Sequence, residues 1–234
     1  MNFKTIKNGE NMNIKINLLS LLIIVGFSFS NISEAQFKNP LGALGGGDSD
    51  SSGGDISAIQ DKLLSDLTDA LGDVLAAQAI IAEAQGNAEQ AAALSNASDK
   101  MKGGEASNED IQGGLTLSSD TVAAQQEIIN QGDTMSAESK ALYAKALLPY
   151  VKSVAKTAKL SGPIKDFTKE AQNSLKSIKN PMQIRKLKKT LDVGLFVGKN
   201  APKLIVNLGK SSKDLITFAK KNDLDTSGSD DIEL

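Results

Sequence analysis

The sequence predicts an all-α protein, an antiparallel helical bundle of about six to eight helices, and three observations predict it. Aliphatic residues beyond Asp55 recur at every third or fourth position, the spacing that gathers them on one face of a helix. No stretch beyond Asp55 sustains the period-two alternation of a half-buried strand. Aromatic residues make up only 4% of the chain against a hydrophobic content of 40%, which suits small-residue helix packing better than sheets rich in aromatic and β-branched side chains. Gly, Pro and Asn turns punctuate the pattern, and helices joined by short turns pack antiparallel.

The first helix is expected from Asp55, a capping residue, to about Gln85. Ile56, Ile59, Leu63, Leu67, Ala70, Leu71, Val74 and Ile81 trace its inner face. Gly86 and Asn87 break it, and an Ala-rich helix follows from Ala88 to Met101, with Leu94, Ala97 and Met101 turned inward. Ser107 caps a short turn over Asn108–Gln112 that Gly113-Gly114 should stop, so the next helix is expected to begin at Ser119 and close at Gly132. Ser136 is an N-cap for a long helix over 137–160, which Pro149 should kink because it has no amide for the Lys145 carbonyl. Gly162-Pro163 reads as a turn before a helix carrying Ile164, Phe167, Ala171, Leu175 and Ile178. Asn180-Pro181 is a cap followed by proline at the first helical position. It opens a helix through Ile184, Leu187, Leu191, Gly194, Leu195 and Gly198, and Asn200-Ala201-Pro202 should start a last one lined by Leu204, Leu208, Ser212, Leu215 and Ala219.

The helical segment, residues 56–222, is flanked by segments of other character. Lys4, Lys7 and Lys15 precede an apolar run beginning at Ile16, and the run leads to Ser33-Glu34-Ala35. A basic stretch, an apolar core and small residues before the cut are the parts of a secretory signal, so residues 1–35 read as a signal peptide cleaved between Ala35 and Gln36. The apolar run is about fifteen residues long against the roughly twenty a spanning helix needs, so no transmembrane anchor is expected after processing. Met12 opens a signal of ordinary length by itself. Residues 36–55 are rich in Gly, Ser and Asp and read as a flexible linker. Residues 223–234 read as an acidic disordered tail. The run from Asp223 through Asp225, Ser227 and Gly228 resembles the start of an EF-hand calcium loop, but Leu234 stands where a bidentate glutamate belongs, and a plain acidic tail is the favoured reading.

Composition narrows the chemistry. The chain has no cysteine and no histidine. Disulfides, thiolate nucleophiles, iron–sulfur ligation and lipoprotein attachment are therefore excluded, as are the commonest general base and metal ligand. No cofactor and no catalytic residue is expected; an enzyme would have to rest on carboxylate, serine or lysine groups alone. Charge is sharply divided. Residues 36–135 carry 4 Lys/Arg and 16 Asp/Glu, residues 136–222 carry 19 and 5, and residues 223–234 carry none and 5. Acidic and basic helices could pack side by side and cancel. Alternatively, part of the basic half stays free as an anion-binding surface, for which Lys176, Lys179, Arg185, Lys186, Lys188 and Lys189 around the Asn180-Pro181 turn are the candidates. Nucleic acid is not expected as a partner, since stacking aromatics are scarce there.

Gly194-x-x-x-Gly198 exposes backbone on one helix face and is read as a site of close helix packing. Leu195, Phe196 and Val197 make this stretch apolar nearly all round, which also allows a membrane-surface role. The functional expectation is an exported protein, periplasmic or secreted, that binds or scaffolds another envelope component without catalysis, the partner being an envelope protein or anionic lipid. A lipid or amphiphile carrier with an apolar cavity between helices is the alternative.

Overall fold

The computed structural model describes residues 52–104, 106–131, 135–229 and 232. The signal segment, its cleavage site at Ala35–Gln36, linker residues 36–51 and tail positions 230, 231, 233 and 234 lie outside the described residues. Those described form an all-helical bundle of seven helices: α1 (Ser52–Ala84), α2 (Ala88–Lys102), α3 (Asn108–Gln131), α4 (Ala137–Ala158), α5 (Ser161–Ser177), α6 (Pro181–Thr190) and α7 (Asp192–Lys221).

Helix α1 is the centre. Leu67, Ala70, Leu71, Val74, Leu75, Ile81 and Ala82 are all fully buried along it. Helices α2 and α4 pack along α1 most extensively, with α3 and α5 beside them. Helix α7 closes the bundle against α3, α4 and α5. Burying one leucine or isoleucine side chain is worth roughly 1.5–3 kcal/mol, and α1 contributes more buried apolar side chains than any other helix among the described residues. Tyr143 of α4 is buried, donates from its hydroxyl to the Leu215 carbonyl at 3.3 Å, and lays its ring 5.5 Å from that of Phe218, which ties α4 to α7.

Several expected boundaries move, each for a local reason. Helix α1 begins at Ser52, so the last four residues assigned to the linker are helical. Helix α3 runs unbroken through Gly113-Gly114. A Cβ on Gly114 would lie 2.8 Å from Met101 Cε and 3.3 Å from Leu71 Cδ2. The glycine lets α3 approach α1 and α2, and burial of Ile111 and Leu115 on either side offsets its poor helix propensity. Helix α5 begins before Gly162-Pro163, because Pro163 falls in the first turn, where an amide has no partner within the helix. Helix α4 runs through Pro149 and α7 through Pro202. Both prolines are exposed, which puts each gap in the hydrogen-bond ladder on the outer side of its helix. Inside α7, the Asn200 side-chain amide also donates to the Phe196 carbonyl at 2.9 Å. The single helix expected over 181–198 instead divides at the buried Leu191, whose φ of −92° and ψ of 7° turn α6 into α7.

The tail carries no helix or strand among its described residues. Leu224 and Ile232 nevertheless pack on the core, and Ser229 is buried.

A polar seam crosses the interior. Gln78 of α1, Ser118, Thr121 and Gln125 of α3, Tyr150 of α4, and Ser211 and Ser212 of α7 are all buried. Gln78 donates to the Ser118 carbonyl at 3.2 Å, and Gln90 donates to Thr121 Oγ1 at 3.2 Å. Burial pushes the Tyr150 hydroxyl well above its ordinary pKa, and the adjacent Ser211 and Gln78 only partly oppose this. Both amide atoms of Gln125 are shielded from solvent and unpartnered among the described residues. A buried unpaired polar group costs about 1–3 kcal/mol. Gln125→Leu, similar in volume, should therefore raise the unfolding free energy by about that amount in urea titration. An unchanged or lowered midpoint would show that the amide is partnered in solution.

The start of α3 is a reciprocal cap. Ser107 donates from its amide and its hydroxyl to Asp110 Oδ2, and Ser107 Oγ accepts from the Asp110 amide at 3.1 Å. Lys100 beside Asp110, followed by Ser107, holds the Asp110 carboxyl down to about 2. A depressed carboxylate contributes stability that is complete above its unfolded value near 4 and is lost as pH falls through about 2. In an NMR titration Asp110 should have its midpoint near 2, and Ser107→Ala should move it upward toward the ordinary range. A wild-type midpoint near 4 would remove the cap from this account.

Candidate functional site

The basic corner is built from the end of α5 upward. Asn180 adopts an extended conformation, its Oδ1 accepts from the Met182 amide at 2.9 Å, and Pro181 follows at the first helical position. That cap starts α6 as the Asn-Pro pair predicts. Ile184 and Leu187 of α6 are half-buried and no residue of the helix is fully buried, so α6 rests on α5 and α7 by a thin apolar edge. Its other faces carry Arg185, Lys186, Lys188 and Lys189, all exposed, with no carboxylate in the helix. Lys176 at the end of α5 and Lys179 in the connection are exposed as well. The structure therefore brings all six cations of the expected cluster to one helix and the chain leading into it. Lys188 and Lys189 also sit in the last turn of α6, where the helix dipole favours positive charge.

Ion pairs among the described residues include Lys62–Asp66, Lys100–Asp110, Lys102–Asp73 and the pairs of Lys156 with Asp69 and Asp73. None involves the six cations. Lys156 of α4 is thus where the basic half meets the acidic α1. Burial alone would raise the Asp73 carboxyl, but Lys102 and Lys156 outweigh it and hold the pKa below its ordinary value. Lys156 moves the opposite way: burial lowers it, Asp69 and Asp73 outweigh burial, and the net shift is upward.

Gly194 and Gly198 face α5. A Cβ on Gly194 would come within 2.5 Å of Phe167 Cζ and of Gln60 Oε1, and one on Gly198 would overlap the Thr168 hydroxyl. Gln60 also donates to the Thr190 carbonyl at 3.0 Å, which fastens the α6–α7 joint to α1. Leu195 and Phe196 pack on the core and Val197 is buried, so this stretch turns its apolar side chains inward and not to a surface.

A separate recess of about 320 Å³ lies where α1 ends and α4 begins. Its wall joins Ala84, Ile128, Met135 and Phe218 to Gln85, Ser136 and Ser139, with no charged side chain among these. No helix of the described residues is long and apolar enough to cross a membrane.

The chain matches no protein-family model, no curated protein sequence and no solved structure.

The two kinds of helical glycine on α7 should respond oppositely to alanine. Nothing lies within 4 Å of a Cβ on Gly209, so Gly209→Ala should add about 1 kcal/mol from helix propensity. Gly194→Ala gains the same propensity but must displace the buried Phe167 ring, an overpacking cost of about 1–3 kcal/mol, and should lower the melting temperature. Thermal unfolding of both variants measures this, and equal shifts would refute close packing at Gly194.

Proposed function

We propose that this chain is an exported, non-catalytic binding or scaffolding protein of the cell envelope that presents its basic corner to an anionic partner. The observation that carries the reading is the set of six exposed cations, Lys176, Lys179, Arg185, Lys186, Lys188 and Lys189, none in an ion pair among the described residues. Like charges crowded on one short helix repel each other, and an anion placed among them relieves that repulsion. The thin apolar footing of α6 means that the helix contributes little to the core. Its composition is thus accounted for better by what it meets outside than by what it holds inside.

Export rests on the signal-like residues 1–35, and the absence of histidine and cysteine favours binding over catalysis. The partner class best suited to an exported cation cluster is an anionic lipid headgroup or a phosphate-bearing envelope component. The carrier reading draws on the recess alone, whose volume is at the lower end of the roughly 300–1,000 Å³ typical of ligand pockets.

Two measurements test the reading. Fractionation of cells producing a C-terminally tagged chain should recover a product beginning at Gln36 outside the cytoplasm; an intact cytoplasmic chain would end the export proposal. In sedimentation with phosphatidylcholine vesicles, adding phosphatidylglycerol should promote binding that falls with salt. The triple variant Lys186→Gln, Lys188→Gln, Lys189→Gln should weaken that binding by about 1 kcal/mol per lysine. Wild-type affinity in the triple variant would rule the corner out.

A further inference from the structure

The exposed side of α7 carries a second set of cations. Lys199, Lys203, Lys210 and Lys213 are all exposed, and the other exposed positions between them are the uncharged Pro202 and Val206. At about 100° per residue their spacings of four, seven and three place all four within an arc of roughly 80°, along about 21 Å of helix. None of the four forms an ion pair among the described residues. The carboxylates of α7 are the exposed Asp192, in its first turn between the corner and Lys199, and the half-buried Asp214, so cations outnumber carboxylates on this side. This line of charge follows the basic corner directly in the chain, since α6 and α7 are joined at Leu191.

We propose that α6 and the exposed side of α7 form one continuous cationic track that binds a linear polyanion with regularly repeated phosphate groups. The inference rests on the reading of α6 as an anion-binding corner and adds the shape of its ligand. A line of lysines several turns long and about one side chain wide matches a flexible thread of charge, on which each lysine can reach a phosphate although the lysines are unevenly spaced. A bilayer surface would use exposed apolar side chains as well as cations. The large apolar residues exposed among the described ones are Ile59, Met182 and Val206; on the track Met182 stands alone on α6 and Val206 alone on α7, which is too little apolar surface for insertion into a bilayer. Four lysines also multiply the effect of the corner by effective concentration: once one end of a chain is held at α6, the rest is kept near α7.

Calorimetric titration with inorganic polyphosphates, from tripolyphosphate to chains longer than the track, tests the proposal. Affinity per chain should rise roughly tenfold or more with length and level off once the track is spanned. The quadruple variant Lys199→Gln, Lys203→Gln, Lys210→Gln, Lys213→Gln should lose most of that rise while holding tripolyphosphate within about twofold, because its corner is intact. Circular dichroism of this variant should match wild type, since all four side chains are exposed. Affinity independent of length, or wild-type binding of long chains by the quadruple variant, would overturn the track and leave the corner standing if the α6 triple variant still loses tripolyphosphate. Binding of phosphatidylglycerol vesicles in preference to long polyphosphate would assign the same lysines to a membrane surface and overturn the polymer. A wild-type protein that binds neither polyphosphate nor vesicles would sink both the track and the corner.

Discussion

Burial of α1 on nearly all sides is the constraint from which the rest of the architecture follows. A helix of 33 residues extends about 50 Å, and hardly one of its turns between Leu63 and Ala84 lacks a buried side chain. Its buried face is wider than that of an ordinary amphipathic helix, and only a narrow strip through Lys62, Ser65, Asp69 and Glu83 meets water. The helix needs neighbours on several flanks, and α2, α4, α5 and α3 supply them. Small side chains decide how close they come: Ala70, Ala77 and Ala82 on α1, and Gly114 on α3, leave room for the leucines of the neighbouring helices. Helix α1 is thus the element that most of the others share, and α6, which buries no residue fully, is free to specialise.

The division of charge acquires a structural meaning in that frame. Acidic α1 and basic α4 meet at Lys156, which reaches both Asp69 and Asp73, while Lys102 shares Asp73 from the other side. Exposed pairs of this kind contribute little stability individually, typically 0–1 kcal/mol. They set which faces lie together more than how tightly they hold. Cancellation of acid by base is therefore partial. The cations of α6 and the exposed lysines Lys199, Lys203, Lys210 and Lys213 of α7 take no part in those pairs, so a chain with a net charge of only −2 still carries unneutralised positive charge on these two helices.

Much of this was legible in the sequence where local signals and packing agree. The three-and-four spacing of Leu63, Leu67, Leu71 and Val74 marks α1, and Asn180-Pro181 marks the start of α6 to the residue, though not its end at Thr190, because a cap is a local hydrogen bond that tertiary contacts do not need to complete. Breakers misled where tertiary packing overrides propensity. Gly113-Gly114 reads as a stop, yet Gly114 is where α3 approaches Met101. Pro202 reads as a start, yet its ring lies outside and α7 continues. Splitting α7 at Pro202 also hid the register of Lys199, Lys203, Lys210 and Lys213, whose alignment depends on one unbroken helix. The cluster from Lys176 to Lys189 was visible because it is contiguous in the chain. The buried seam of Gln78, Ser118, Thr121 and Gln125 was not, since polar side chains at helical spacing look like a solvated face until the neighbouring helix is known.

Native-state hydrogen exchange, residue by residue, reaches the architectural claim most directly. If α1 is the spine, amides from Leu67 to Ile81 should exchange only through global unfolding and share the largest protection free energy in the molecule, with α6 among the least protected. Exchange in α1 that is faster than in α2 or α4, or uniform protection extending through α6, would contradict a bundle organised around a single central helix.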